Sequence, residues 1–308
     1  MDRRDPALPR LSGPRGLLPL LRWLKAEPLV AVVLWGGVYP GAKLGLRELP
    51  MLSFAALRLV AASAILIGVS GVLRSPGALR PVTTSLCNAA LAQTAFQLLL
   101  VAGLQRTTAG NSAILLATAP LIAAGWLAIV GRHSITPSQI AGLLIGLGGV
   151  VLLVLGADVG FSASRLLGDA LALGSAAAWA WYGLAVGRPA RRVGALQATA
   201  VTMTAAALAV VPFALPELAR LAWRTVSWPA WGGLLYGATL GMVVAMSLWG
   251  RSVARLGPTE TMVYTYLEPV SAVVIAALLL GESLGGTQLL GAALTFAAVW
   301  LVHRGSAP

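Results

Sequence analysis

Leu115-Leu116-Ala117-Thr118-Ala119-Pro120 and Tyr264-Thr265-Tyr266-Leu267-Glu268-Pro269 stand 149 positions apart, each near the middle of a long apolar run. A proline inside a helix cannot donate to the carbonyl four residues back, and its ring presses on that turn. Pro120 therefore frees the Leu116 carbonyl, and Pro269 that of Thr265. Helices with such breaks are stable in lipid only where the freed backbone faces protein or a water-filled cavity.

Composition fixes the environment. Of 308 residues, 58% are hydrophobic and 10% charged, and mean hydropathy is +0.84. Soluble domains carry about 25% charged residues, so this is a membrane protein. Ten apolar spans are expected near 28–46, 51–73, 82–103, 109–130, 138–156, 166–187, 195–215, 229–250, 259–280 and 285–302. Each can cross a core of about 30 Å at 1.5 Å per residue. Residues 1–27 read as a basic cytoplasmic tail, which Pro19 and Arg22 disqualify as a signal segment. The connections are too short to hold a soluble domain.

The net charge of +12 does not point to nucleic acid, because the basic residues punctuate the apolar runs instead of forming a patch. With the N-terminus inside, 15 Lys and Arg fall on the cytoplasmic side and 6 outside, with Arg58 left within a span. That asymmetry places both termini in the cytoplasm. The single cysteine, Cys87, permits no intrachain disulfide, and the two histidines lie at span ends, so no metal site is expected.

The spacing also shows a repeat. Arg106 and Arg255, Gln139 and Gln288, and Gly142 and Gly291 share the 149-residue offset of the two prolines. In the first two spans of each half the offset is 144, pairing Trp35 with Trp179 and Leu52 with Leu196. The five-residue difference falls in the loop near Pro216–Trp228. Five spans per unit is odd, so the second unit, 157–308, inserts upside down relative to the first, 28–156. Paired broken helices in an inverted repeat point to a solute site between them.

The chain resembles the ten-helix EamA branch of the drug/metabolite transporter superfamily. The residues that carry the likeness are Trp35-Gly36 with Lys43, Arg58, Ala119-Pro120-Leu121, Glu268-Pro269-Val270, Gly281-Glu282, and Gln288 with Gly291. The resemblance implies an all-α integral membrane fold of two inverted five-helix repeats around a central cavity lined by spans 1–4 and 6–9. It implies peripheral fifth and tenth spans, and export of amino acids, including aromatic ones, or of other metabolites across the inner membrane. More distant relatives carry sugar phosphates and nucleotide sugars. The expected partners are a small-molecule substrate and the bilayer, with the chain a monomer and no cofactor.

Several residues are candidates for the cavity wall. Glu268 costs about 3 kcal/mol to place at mid-membrane. Two roles are open to it: a site for a substrate amine or a proton, and a tie between helices. Arg58 either attracts a carboxylate or snorkels and pairs structurally. Trp35 and Tyr39, four apart, and Trp179 and Tyr182, three apart, form an aromatic wall or fill the core. Gln93, Gln97, Asn111, Thr118, Tyr264 and Thr265 supply polar groups that bind a zwitterion or link helices. Gly37 and Pro40, in the run Trp35-Gly36-Gly37-Val38-Tyr39-Pro40-Gly41, are expected to bend the first span and join Pro120 and Pro269 as gating positions; close packing through small residues is the competing account. Gly233, Gly237 and Gly241 read as a packing stripe.

Other classes fit poorly. No span holds an internal histidine, and no two carboxylates sit four apart in one, as an intramembrane hydrolase would need. The string from Gly36 to Lys43 fails as a phosphate-binding loop. A filter loop of the channel type is missing. A structural membrane subunit is the non-transport alternative.

Overall fold

The computed structural model of the protein describes residues 24–74, 76–130, 135–155, 165–280 and 285–305. Gly281, Glu282, Arg132, His133 and most of the basic tail lie outside them. Besides short 3₁₀ turns in the connections, the described residues form ten helical stretches and no strand. The first spans are α1 (Ala26–Gly45), α2 (Met51–Ser70) and α3 (Thr83–Leu104). The fourth divides into α4 (Ala109–Leu116) and α5 (Ala119–Ile129), and α6 (Pro137–Val154) is the fifth. Spans six and seven are α7 (Leu166–Val193) and α8 (Ala195–Arg220). The eighth joins α9 (Trp228–Tyr236), a π-helical stretch Gly237–Ala245 and α10 (Met246–Leu256). The ninth joins α11 (Pro258–Met262), a 3₁₀ turn Val263–Tyr266 and α12 (Leu267–Leu280); α13 (Gly286–Gly305) is the tenth. Eight of the ten stretches are long and apolar enough to cross a membrane by length and composition. Only α1 and the ninth stretch fall outside that set.

The ends of these helices are set by local chemistry. Thr136 caps α6 by accepting from Gln139 N, and Gln139 Oε1 accepts in return from Thr136 N at 2.9 Å. Its repeat mate Gln288 accepts from Gly285 N at 2.9 Å before α13. The reciprocal cap on α6 satisfies two orphan donors and the one-way bond before α13 satisfies one. Gly194 (φ 97°) and Gly257 (φ 88°) join α7 to α8 and α10 to α11 through a single residue. Only glycine reverses the chain in one step at such φ. These short links force successive spans to alternate in direction. α1 starts and α13 ends on one face, the tail face; the opposite one is the far face.

The two repeats are inverted, and α6 and α13 show it residue by residue. A Cβ on Gly142 would meet Ala298 and Val302, while one on Gly291 would meet Gly149 and Leu153. Moving Gly142 up by 149 and Ala298 and Val302 down by 149 turns the first set into the second. The two helices therefore run antiparallel about a local two-fold, with backbone touching backbone at Gly149 and Gly291. Small residues let membrane helices approach this closely, where dispersion and not the hydrophobic effect holds them. The other packing pairs obey the same exchange. α3 against α7 is matched by α1 against α9 and α10, and α4 and α5 against α7 by α12 against α1. α2 pairs with its own image, α8.

The two prolines behave alike. Pro120 lies in the first turn of α5, where its missing donor costs nothing. Pro269 occupies the third position of α12, just after the 3₁₀ turn. The first span departs from expectation: α1 runs unbroken through Pro40. Its glycines serve contact. A Cβ on Gly36 would fall 2.5 Å from Ser271 Cβ, one on Gly37 2.1 Å from Tyr236 Oη, and one on Gly41 3.3 Å from Gly233 Cα. The close-packing account therefore explains this stretch better than bending does.

Candidate functional site

The middle of the molecule is aromatic. Trp35 of α1 and Trp179 of α7, repeat mates, meet edge to face with centroids 5.5 Å apart. Trp249 of α10 lies 5.1 Å from Trp35 and 5.7 Å from Trp179, and Phe96 and Tyr182 complete the cluster. Offset and edge-to-face pairs of this kind are each worth about 0.5–1.5 kcal/mol beyond the area they bury. Trp179, Trp249 and Tyr182 are buried. The expected aromatic wall is thus a packed plug at the pseudo-two-fold axis, and it occupies ground where a cavity was anticipated. The Trp35 indole N–H donates to the Gly241 carbonyl at 2.9 Å, in the π-helical stretch. Neither Trp249 nor the π segment was evident from the sequence. The spacing of Gly233, Gly237 and Gly241 suggested only packing, and all three do pack, on Gly41, Arg58 and Val38.

Beside the plug lies an open space. Tyr39 is 48% exposed, yet it does not share the outward stripe of α1. That stripe runs through Ala26, Val30 and Val33 and ends at Gly37, which packs on Tyr236. At 100° per residue Tyr39 falls between Trp35, which points to the plug, and Gly36, which touches α12. Its exposure is therefore to a cleft inside the bundle. Tyr39 Oη donates to Glu268 Oε1 at 3.0 Å. Glu268 is half-buried and sits one turn before Ser271 and Ala272, on the side of α12 that meets α1. This brings together two candidates 229 positions apart, next to the Pro269 break.

Arg58 occupies the α2 side of the π segment. Its stem fills the space left by Gly237, where a Cβ would fall 2.8 Å from Arg58 Cδ. The guanidinium lies 5.6 Å from the Phe54 ring centroid, a cation–π contact. Among the described residues no carboxylate lies within ion-pair distance of it, and its Nε is buried without a hydrogen-bond partner. The Gln93 and Gln97 side-chain oxygens and Trp249 Nε1 are likewise buried and unpartnered. Unpaired buried polar atoms cost about 1–3 kcal/mol each.

Other candidates lie elsewhere. Asn111 is fully buried at the far-face end of α4, where its Nδ2 donates to Asp169 Oδ1 at 2.9 Å. Thr107 Oγ1 donates to the same oxygen. Asp169 escaped notice because an acid in a helix's first turn is an ordinary dipole partner. Tyr264 is buried at the tail face, its hydroxyl accepting from Lys25 N at 2.8 Å. Thr118 and Thr265 are half-buried and donate to carbonyls in their own breaks, those of Leu115 and Met262. Pro120 is buried, and Pro269 half-buried. A separate cleft of about 360 Å³ opens at the far face between Glu48, Glu217 and Arg220.

Comparison with known proteins agrees with this architecture. A 28% identical relative, from Streptantibioticus cattleyicolor, is named a probable terminal-alkyne amino-acid exporter; the match covers 90% of this chain and 92% of that one. An uncharacterized transporter of Archaeoglobus fulgidus is also 28% identical, over 88% and 94% of the two chains. The uncharacterized inner membrane transporter YedA of Escherichia coli is 27% identical over 94% and 92%. A protein of known crystal structure superposes with a TM-score of 0.71 at 21% identity, covering 91% of this chain and 98% of that one, a likeness of fold. The model of the EamA-like transporter family matches twice, over residues 28–155 and 166–304. Two matches to one family model, on a multi-pass helical chain that repeats itself upside down, identify the protein as a member of the EamA-like transporter family.

Proposed function

We propose that this transporter exports small metabolites, neutral and aromatic amino acids foremost, across the inner membrane by alternating access. The observation that carries this reading is the Tyr39–Glu268 pair, an acid held by a phenol in a cleft at a helix break. A carboxylate there can attract a substrate amine. Arg58, without an acid of its own among the described residues, can attract a carboxylate. The unpartnered Gln93 and Gln97 oxygens offer acceptors, and the tryptophan plug an apolar surface. A phosphate ester fits less well, because only Arg58 and Lys43 stand near enough in sequence depth to neutralise a dianion. The name of the Streptantibioticus relative favours an amino acid. The asymmetry of Lys and Arg supports both termini lying in the cytoplasm.

Counterflow in proteoliposomes tests this. Labelled phenylalanine should exchange through the wild type and stop in Glu268→Gln, whose amide oxygen still accepts from Tyr39 and so keeps the helices tied. Exchange of a nucleotide sugar or a cationic drug in place of phenylalanine overturns the substrate class. Undiminished phenylalanine exchange in Glu268→Gln overturns the role of the acid. Repeating the assay across a pH gradient separates proton exchange through Glu268 from facilitated diffusion.

A further inference from the structure

The repeat brings one kind of junction to both faces. In each, the start of the first helix of one half meets the hinge between the third and fourth spans of the other half. At the far face the start of α7 meets the connection from α3 to α4. A Cβ on Gly168 would fall 2.5 Å from the Arg106 backbone, and Asp169 takes hydrogen bonds from Thr107 and Asn111. At the tail face the start of α1 meets the connection from α10 to α11. Glu27 Oε1 lies 2.9 Å from Arg255 Nη1 and 3.7 Å from Arg251 Nη1. Arg106 and Arg255 are repeat mates, and so are Asp169 and Lys25. Each hinge leads straight into a proline-broken span, α4–α5 or α11–α12. Each first helix carries one of the two axial tryptophans.

We infer that these junctions are the two latches of the transport cycle: Asp169 with Thr107 and Asn111 closes the far face, and Glu27 with Arg255 and Arg251 closes the tail face. This rests on the alternating-access reading above. Rocking one half against the other must open either junction while its counterpart holds, because both join opposite halves at opposite ends. Both are closed in the structure. Their chemistry differs. The far-face latch is buried, with Asp169 7% exposed. The tail-face latch is at the surface, with the Arg255 side chain 65% exposed. Salt screens exposed pairs and spares buried ones, so ionic strength acts on the tail-face latch alone.

A single-cysteine reporter, Tyr39→Cys in a Cys87→Ser background, tests this with a membrane-impermeant maleimide applied to either side of oriented vesicles. Glu27→Ala should raise the labelling rate from the tail-face side at least threefold and leave the far-face rate unchanged. Raising NaCl from 0.05 to 0.5 M should do the same to the parent. Asp169→Ala should raise the rate from the far-face side only, and Asn111→Ala does the same more weakly should Asp169→Ala fail to fold. Exchanging the charges, Glu27→Arg with Arg255→Glu, should restore the parent rates. If folded Glu27 and Asp169 variants label at parent rates, or change equally from both sides, the latches are overturned. A reporter that reacts from one side alone in the parent and every variant removes alternating access itself, and so distinguishes the two failures.

Discussion

Glu48 holds a helix that belongs to the other half of the chain. Its two oxygens accept from Ser227 N and Ser227 Oγ, both at 2.6 Å, at the start of α9. Those bonds pull its carboxyl below the ordinary carboxylate value of 4.5. The folded form thus binds its proton less readily than the unfolded one. The cap contributes above pH 4.5 and is lost as pH falls below it. Glu48→Ala should therefore lower the melting temperature in detergent at pH 7, and the gap to the parent should narrow as pH falls below 4.5. Glu217 holds the start of α2 with the same pair of bonds, accepting from Ser53 N at 2.8 Å and from Ser53 Oγ at 3.1 Å. At this scale the sequence told which residues were chemically costly but not what they touch. Glu268 stood out by depth alone, whereas its bond to Tyr39 depends on two helices 229 positions apart being brought to one cleft. Asp169 and Glu48, acids at span ends, carry no comparable mark in the sequence.

Elements in lipid are held by fit, and α6 makes the point with neighbouring glycines. A Cβ on Gly149 would fall 2.8 Å from the Gly291 carbonyl oxygen, against backbone that cannot yield. One on Gly148 would meet nothing within 4 Å. Gly149→Ala should cost about 1–3 kcal/mol through overpacking. Gly148→Ala should be neutral or gain up to about 1 kcal/mol from helix propensity. Thermal unfolding of the two variants in one detergent checks the contrast, and equal effects would remove the backbone seam from the account. The helix breaks were legible because proline chemistry is local. The π stretch Gly237–Ala245 was not. Its first-half counterpart lies within the regular α3, so what widens the helix is the local setting, where Arg58, Val38 and Trp35 crowd its glycines and carbonyls.

Across the whole molecule the charge distribution and the repeat point the same way. Tags placed before Met1 and after Pro308 should both be digested from the cytoplasmic side in cells, and Lys43→Cys should label from the opposite one. Tags exposed on different sides would break the even count of spans. The class and the repeat could be read from hydropathy and from offsets of 144 and 149, because duplication leaves its spacing in the chain. The centre could not. Whether Trp35 and Trp179 line an empty chamber or fill it depends on how closely the halves approach, and no spacing records that distance.

Trp35 and Trp179 touch because they straddle the pseudo-two-fold axis. In an unfused ancestor, built from two copies of one shorter gene product, that indole would have met itself. Every mutation there would have struck both sides together, and no acid could have arisen on one side only. A single chain carrying both halves is free of that constraint, and Glu268 opposite Ala119 is the kind of asymmetry it permits.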